Sequence, residues 1–272
     1  MYMANEAEPA PHTNRWGNTE NAVPGSSESY RDVCTCFDQG RVSNRRRVHF
    51  HSERQDTSSA AWQHLLALIE EAAADGREVF RPLVEMSPRE RRQIVTLPAS
   101  IAKLTAVKQF ILCGSNLVRI PPEIGAMRSL QEFTPYTSYR LHWFPYELSR
   151  CPSLKRSTVS TRALYGNEKL RSPFPPLRPG GVETADLDLD DVDPGEWGAT
   201  ALRRCSVCDR SLEGAEIHQA WISLRVATDV LPLLVNTCSA ACLQILPEPP
   251  EDYVRTPHTG GPGLAQPLAD YA

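Results

Sequence analysis

From Ser58 to Ala74 the apolar side chains Trp62, Leu65, Leu66, Ile69 and Ala72 recur at three- and four-residue spacing, with polar residues between them. That rhythm lays one apolar stripe along an α-helix, and Asp75-Gly76 supplies the stop. A second, shorter helix is signalled by Ser87-Pro88-Arg89-Glu90, where serine can cap, proline suits the first helical position and glutamate can complete a capping box. Beyond it the pattern changes. Leu97-Pro98 lies over Ile120-Pro121, and Ile101, Leu104, Val107 and Phe110 then fall on Ile124, Met127, Leu130 and Phe133, each offset by 23 residues. A third copy starts at Phe144-Pro145, offset by 24, and continues through Leu148, Cys151 and Leu154. Within a unit, Ile101 to Val107 repeats every third position, which suits a helical or 3₁₀ turn, whereas Val107 to Cys113 approaches strand alternation. One such turn cannot bury its apolar edge alone, so successive units must stack and share a core. The two helices sit where a stack needs a cap.

The unit Leu-Pro-x-x-Ile-x-x-Leu-x-x-Val-x-x-Phe-x-Leu, over about 94–167, resembles the bacterial-type leucine-rich repeat family. The resemblance implies an α/β fold: a short curved solenoid with short parallel strands on its concave side. The family's turn asparagine falls on Ser115 in the first unit, with Asn116 one place later, and the second unit carries an extra residue within Tyr136-Thr137-Ser138-Tyr139-Arg140. In this geometry Val107, Phe110, Leu112, Leu130, Phe133, Leu154 and Val159 point inward. Lys108, Gln109, Ile111, Gln131, Glu132, Thr134, Tyr136, Lys155, Arg156 and Thr158 face the concave surface, where a protein or peptide partner is expected to contact them. The plain alternative is a solvated face, with Tyr136, Tyr139, His142, Trp143 and Tyr146 filling the irregular second turn. Cys113 and Cys151 occupy apolar positions or their neighbours and read as small buried or half-buried side chains rather than nucleophiles.

Four other cysteines carry the most specific chemistry. Cys205 and Cys208 are separated by two residues, and Cys238 and Cys242 stand four apart at the start of a predicted helix. A two-residue gap lets both thiolates of one knuckle reach a single ion, and the second spacing presents both sulfurs on one helix face, so the expectation is a closed tetrahedral zinc site. Between the pairs, Ile222, Leu224 and Val226 alternate with Trp221, Ser223 and Arg225 as in a strand. Knuckle, strands and a helix bearing the second pair, over about 203–246, resemble a treble-clef zinc finger. His218 is the nearest histidine, either an additional or replacement ligand or a residue at a strand end. A module of that size holds too little apolar interior alone, so metal affinity is expected to supply much of its folding energy.

Composition bounds the rest. The chain has 272 residues, 23 prolines, eight cysteines and a formal charge of −4, so it has no global basic footprint for phosphate binding. No secretory pattern opens it and no apolar run spans a bilayer, so a soluble cytoplasmic protein with reduced thiols is expected. The anticipated organisation is a disordered tail (1–58), a helical cap with repeats (59–170), a proline-rich and acidic linker (171–200), a zinc module of α+β type (201–250) and a C-terminal tail (251–272). The tail contains Cys34, Cys36 and an arginine-rich stretch, read as solvated, and the linker carries seven acidic residues from Glu183 to Glu196. Alternatively the two modules form one rigid body, with aromatics of the second unit packed near Trp221. The leading functional expectation is a non-enzymatic interaction or adaptor protein with structural zinc. A zinc hydrolase would need an open ligand position and a base, and no His-Glu-x-x-His pair appears. Nucleic-acid binding through the zinc module is the alternative, opposed by the acidic stretch after Cys242.

Overall fold

The computed structural model describes residues 51, 53–161, 165, 174–175, 177, 202–213, 217–261 and 263–267. Helix α1 (Ala60–Asp75) starts where the Ser59 hydroxyl accepts the Trp62 N–H, and it ends at Gly76 in the left-handed region, φ 67°. It buries Trp62, Leu65, Ile69 and Ala72 of the expected stripe, adds Leu68, which the spacing had not singled out, and leaves Leu66 half-buried. Strand β1 (Val79–Phe80) and the short helix α2 (Pro82–Glu85) follow. Helix α3 (Pro88–Gln93) opens with the complete Ser87/Glu90 capping box.

The three periodic units share one backbone plan. Pro98, Pro121 and Pro145 sit extended, with φ of −75°, −76° and −70°, at the head of the 3₁₀ turns Ala99–Lys103, Pro122–Ala126 and Tyr146–Arg150. Proline's fixed φ suits a turn entry at which no N–H donor is needed. Strands β2 (Gln109–Ile111), β3 (Glu132–Thr134), β4 (Phe144–Pro145) and β5 (Arg156–Ser157) belong to the same units. A parallel sheet runs in the order β1-β2-β3-β5, with Phe80 beside Phe110, Phe110 beside Phe133 and Phe133 beside Ser157. The residue offsets of 23 and 24 thus become neighbouring positions on adjacent strands. Inside the stack the rings of Phe80, Phe110, Phe133 and Phe144 follow one another at centroid spacings of 5.7, 6.3 and 6.2 Å. Val107, Leu112, Leu130 and Val159 are buried with them, and Leu154 packs partly buried against the same core.

The loops between units are joined by side chains. Ser115 donates to Ser138 over 2.7 Å, Ser138 to the Leu112 carbonyl over 3.0 Å, and the Asn116 amide to the Arg92 carbonyl over 3.0 Å. The task expected of one asparagine is divided among serines and the neighbouring Asn116.

Strands β6 (His218–Val226) and β7 (Asp229–Thr237) form an antiparallel hairpin, and β4 pairs in parallel with β7, giving a mixed sheet in the order β4-β7-β6. Helix α4 (Ala240–Gln244) follows. Among the described residues the fold is therefore mixed α/β, with one parallel and one mixed sheet, few helices and no barrel. One face of the hairpin, through Ile222, Leu224, Val226, Leu231, Leu233 and Val235, joins the same apolar core as the Phe110 stack. Its other face is also buried: Trp221 and Leu234 pack with Trp143, Tyr165, Phe174 and Leu177, so a second-unit aromatic does lie against Trp221.

The hairpin tip replaces the next ring of the stack. Ser157 stands where Phe133 and Phe110 stand one and two units earlier, and its hydroxyl has two acceptors for its one proton, the Val226 carbonyl at 3.0 Å and Asp229 Oδ2 at 3.1 Å. Thr228 donates back to the Ser157 carbonyl at 2.8 Å.

Two stretches expected to be tails carry ordered contacts. Gln55 is buried, its amide reaching the Gln93 carbonyl and its oxygen receiving the Val95 N–H, while Arg119 donates to the carbonyls of His51 and Glu53. A buried amide binding backbone groups across some forty residues leaves no signal in local periodicity, and the tail boundary at residue 58 is corrected accordingly. Near the other end, Trp221 and His258 exchange backbone hydrogen bonds of 2.8 and 3.1 Å. Cys34, Cys36, the arginine-rich stretch and the acidic linker lie outside the described residues.

Candidate metal centre and sheet face

The knuckle is a tight backbone turn. The Cys205 N–H donates to the Arg210 carbonyl at 2.8 Å, the Asp209 N–H to the Cys205 carbonyl at 3.1 Å, and Asp209 adopts a left-handed φ of 64°. This curl aims the N–H groups of Val207 and Cys208 at the Cys205 sulfur, 3.4 and 3.5 Å away. Ser206 fastens the knuckle to β7 through paired bonds with Asn236, of 2.7 and 3.0 Å. Cys238 lies just past the end of β7, and Cys242 lies within α4, whose cap Ser239 receives the Cys242 N–H. From the 3₁₀ turn Tyr146–Arg150, Arg150 donates to the Cys205 carbonyl at 3.3 Å, to the Ser206 carbonyl, and to Asp209 at 3.2 Å.

These elements bring the four sulfurs within 4.8 Å of one another. The Cys208–Cys238 and Cys238–Cys242 separations are 3.5 and 3.9 Å. A disulfide would need about 2.05 Å. Four sulfurs at about 2.3 Å around a tetrahedral ion stand about 3.8 Å apart, so the observed spacings fit a thiolate-bound metal and are compatible with zinc. Burial works against ionising Cys205, but the N–H groups of Cys208 and Val207 outweigh it and bring its thiol down to about 6. The Cys238 thiol is pushed up to about 12, first by its proton-sharing contact with Cys208. One sulfur is therefore prepared as a thiolate, and a metal cation would displace protons from its neighbours. Cys205 and Cys242 are buried and Cys208 is exposed. Among the described residues this cysteine group is the one cluster of three or more candidate ligands, and His218 is not part of it.

Cys113 is half-buried and Cys151 buried, with burial raising both thiols, Cys151 to about 12. Neither is prepared as a nucleophile.

On the opposite side of the parallel sheet from the phenylalanine stack, a trough of about 330 Å³ is lined by Lys108, Gln109, Gln131, Glu132, Lys155 and Arg156, together with Glu78 and Val79. Ile111 and Thr134 are half-buried on the same strands, and Tyr136 and Thr158 are exposed; these four do not line the trough. Lys108 pairs with Glu78 at 2.5 Å and Arg156 with Glu132 at 3.0 Å. Sequence reasoning missed Glu78 and Val79 because β1 has two residues and no periodic signal. Of the second-unit aromatics, Tyr136 and Tyr139 are exposed, His142 and Trp143 are buried and Tyr146 is half-buried, with Trp143 packing edge-on to Trp221 at 6.0 Å.

No family model matches the chain, and no curated protein matches it. No helix among the described residues is long and apolar enough to cross a membrane.

Proposed function

We propose that this chain is a non-enzymatic protein-interaction or adaptor protein, in which a short leucine-rich-repeat solenoid presents the trough to a protein or peptide partner and a treble-clef-like zinc site secures the far end. The observation that carries the reading is the trough itself. Six residues selected from the repeat's outward positions line it together, three strands deep, with two ion pairs at its edges and an exposed Tyr136 on an adjoining strand end. Alternating charges and amides with an aromatic neighbour suit a polar peptide better than a small apolar ligand. Zinc is the ion assigned to the four sulfurs, and its role is structural because a four-sulfur set leaves no position for a reactive water. Arg150 binds the knuckle backbone directly, so holding the metal also holds the end of the repeat stack. Four reduced thiols suit a reducing compartment such as the cytoplasm.

The test is affinity capture from a native lysate with the intact chain and with the triple variant Glu132→Ala, Tyr136→Ala, Arg156→Ala. A partner recovered by the intact chain and lost by the variant, at equal zinc content, supports the assignment. Equal recovery removes this face from the account.

A further inference from the structure

A second cavity, of about 410 Å³, opens where the repeat stack meets the knuckle. One wall is made by the 3₁₀ turns through Glu123 and Glu147, the other by Leu202, Arg203, Arg204 and Asp209. Glu147 is 6% exposed and the Ser206 hydroxyl serves its carboxyl, yet its Oε2 has no hydrogen-bond partner. Glu123 Oε2 is likewise buried without a partner. Gly125 brings the two turns together: a Cβ there would stand 2.8 Å from the Glu147 carbonyl oxygen and 2.9 Å from the Glu147 Cβ. Two carboxyls are thus held side by side in the wall of a space large enough for a ligand, each with an unused oxygen. An unused buried acceptor is costly, and a donor entering the cavity would relieve the cost.

The remaining charges define the complement. Arg150 is committed to the knuckle, and Arg204 pairs with Asp209 at 3.4 Å. Arg128 and Arg203 are exposed and line the same cavity; neither closes an ion pair among the described residues, although Arg203 lies near enough to Glu123 to favour its charged form. A metal ion is a poor occupant, because hard cations take six or more oxygens and two carboxyls supply too few. A molecule with a cationic hydrogen-bond donor at one end and an anion at the other matches the buried acids and the exposed arginines together.

We propose that this cavity binds a basic amino-acid carboxylate, with a guanidinium or alkylammonium group against Glu123 and Glu147 and the α-carboxylate at Arg128 and Arg203. Free arginine or lysine carries this chemistry, and so does a peptide that ends in either residue.

The experiment is calorimetric titration of the zinc-loaded full chain with L-arginine, with agmatine, which has the guanidinium but no carboxylate, with the peptide Gly-Gly-Arg and with its C-terminal amide. Saturable binding of L-arginine or Gly-Gly-Arg, with agmatine and the amide about tenfold weaker or more, is expected. Binding by free arginine alone identifies the free amino acid as the source, and binding by Gly-Gly-Arg alone identifies a peptide terminus. Glu147→Gln should weaken binding about tenfold or more. If that variant changes zinc content or far-UV dichroism, Glu123→Gln provides the same reading from a half-buried position. Arg203→Ala should weaken arginine and leave agmatine unchanged, a split that general damage to the fold would not produce. No saturable binding by any probe, equal affinity for acid and amide, or unchanged affinity in both glutamate variants overturns the proposal.

Discussion

Replacing Phe110 by alanine probes the stack at its centre. The ring is fully buried and lies between Phe80 at 5.7 Å and Phe133 at 6.3 Å. Removing a buried phenylalanine ring costs about 3–5 kcal/mol, of which each aromatic pair accounts for about 0.5–1.5. Phe110 is on a central strand with β1 and β3 hydrogen-bonded on either side, so the walls cannot easily close on the hole, and about 4 kcal/mol is expected. With a urea dependence of about 2–3 kcal/mol per molar, the unfolding midpoint should fall by about 1.5 M. Because Ile222 and Leu233 of the hairpin that leads into the cysteine cluster belong to the same core, two signals should move together: far-UV dichroism, and release of any bound zinc to a chromophoric chelator. Phe110→Leu, which keeps most of the volume, should cost about 1.5 kcal/mol or less. A loss below about 1 kcal/mol for the alanine variant, or a shifted dichroism transition with zinc release unmoved, would refute the shared core.

Cys208→Ser should lower bound zinc well below one per chain and reduce thermal stability, read by elemental analysis and a melting curve; retention of full stoichiometry would contradict a four-sulfur site. Burial pushes the Glu147 carboxyl up to about 7, so the folded protein holds a proton that the unfolded chain loses above about 4.5. Stability should therefore fall as pH rises from about 4.5 to 7, by up to roughly 3 kcal/mol, and Glu147→Gln should narrow its gap to wild type at low pH and exceed wild type at pH 8; parallel stability profiles of the two proteins would show that the carboxyl is not so perturbed. Gly260 has φ 74°, and a Cβ there would lie 2.3 Å from the Pro175 carbonyl oxygen, so Gly260→Ala should cost about 1–3 kcal/mol and expose the 257–261 segment to limited proteolysis; an unchanged cleavage pattern would argue against that packing.

The short parallel strands were legible because the apolar positions that form them recur at fixed offsets. The offsets of 23 and 24 residues reappear as strand register, Gln109 beside Glu132 and Glu132 beside Arg156. Helix α1, the Ser87/Glu90 box and the four-cysteine group were legible for a similar reason, since caps and metal knuckles act over a few residues. What stayed hidden depends on distant partners. Phe144-Pro145 occupies the Leu-Pro position of its unit, and nothing local tells that it will pair with Leu233 and Leu234 some ninety residues later. The packing of Trp143 near Trp221 was within reach of the sequence, but the cover supplied by Phe174 and the His258 segment comes from residues with no local signal. Ser157 ends the phenylalanine series, and the reason shows only when the hairpin tip is placed against it. Glu123 and Glu147 carry no local signal of a site, and only the approach of the knuckle makes them walls of a cavity.

The most direct measurement is X-ray absorption at the zinc edge on full-length protein purified under reducing conditions without added chelator. The account predicts one zinc per chain with four sulfur neighbours at about 2.3 Å and no nitrogen or oxygen in the shell. A shell containing nitrogen or oxygen, or a protein that keeps its stability after complete loss of metal, would contradict a closed structural site joining the hairpin to the repeat stack.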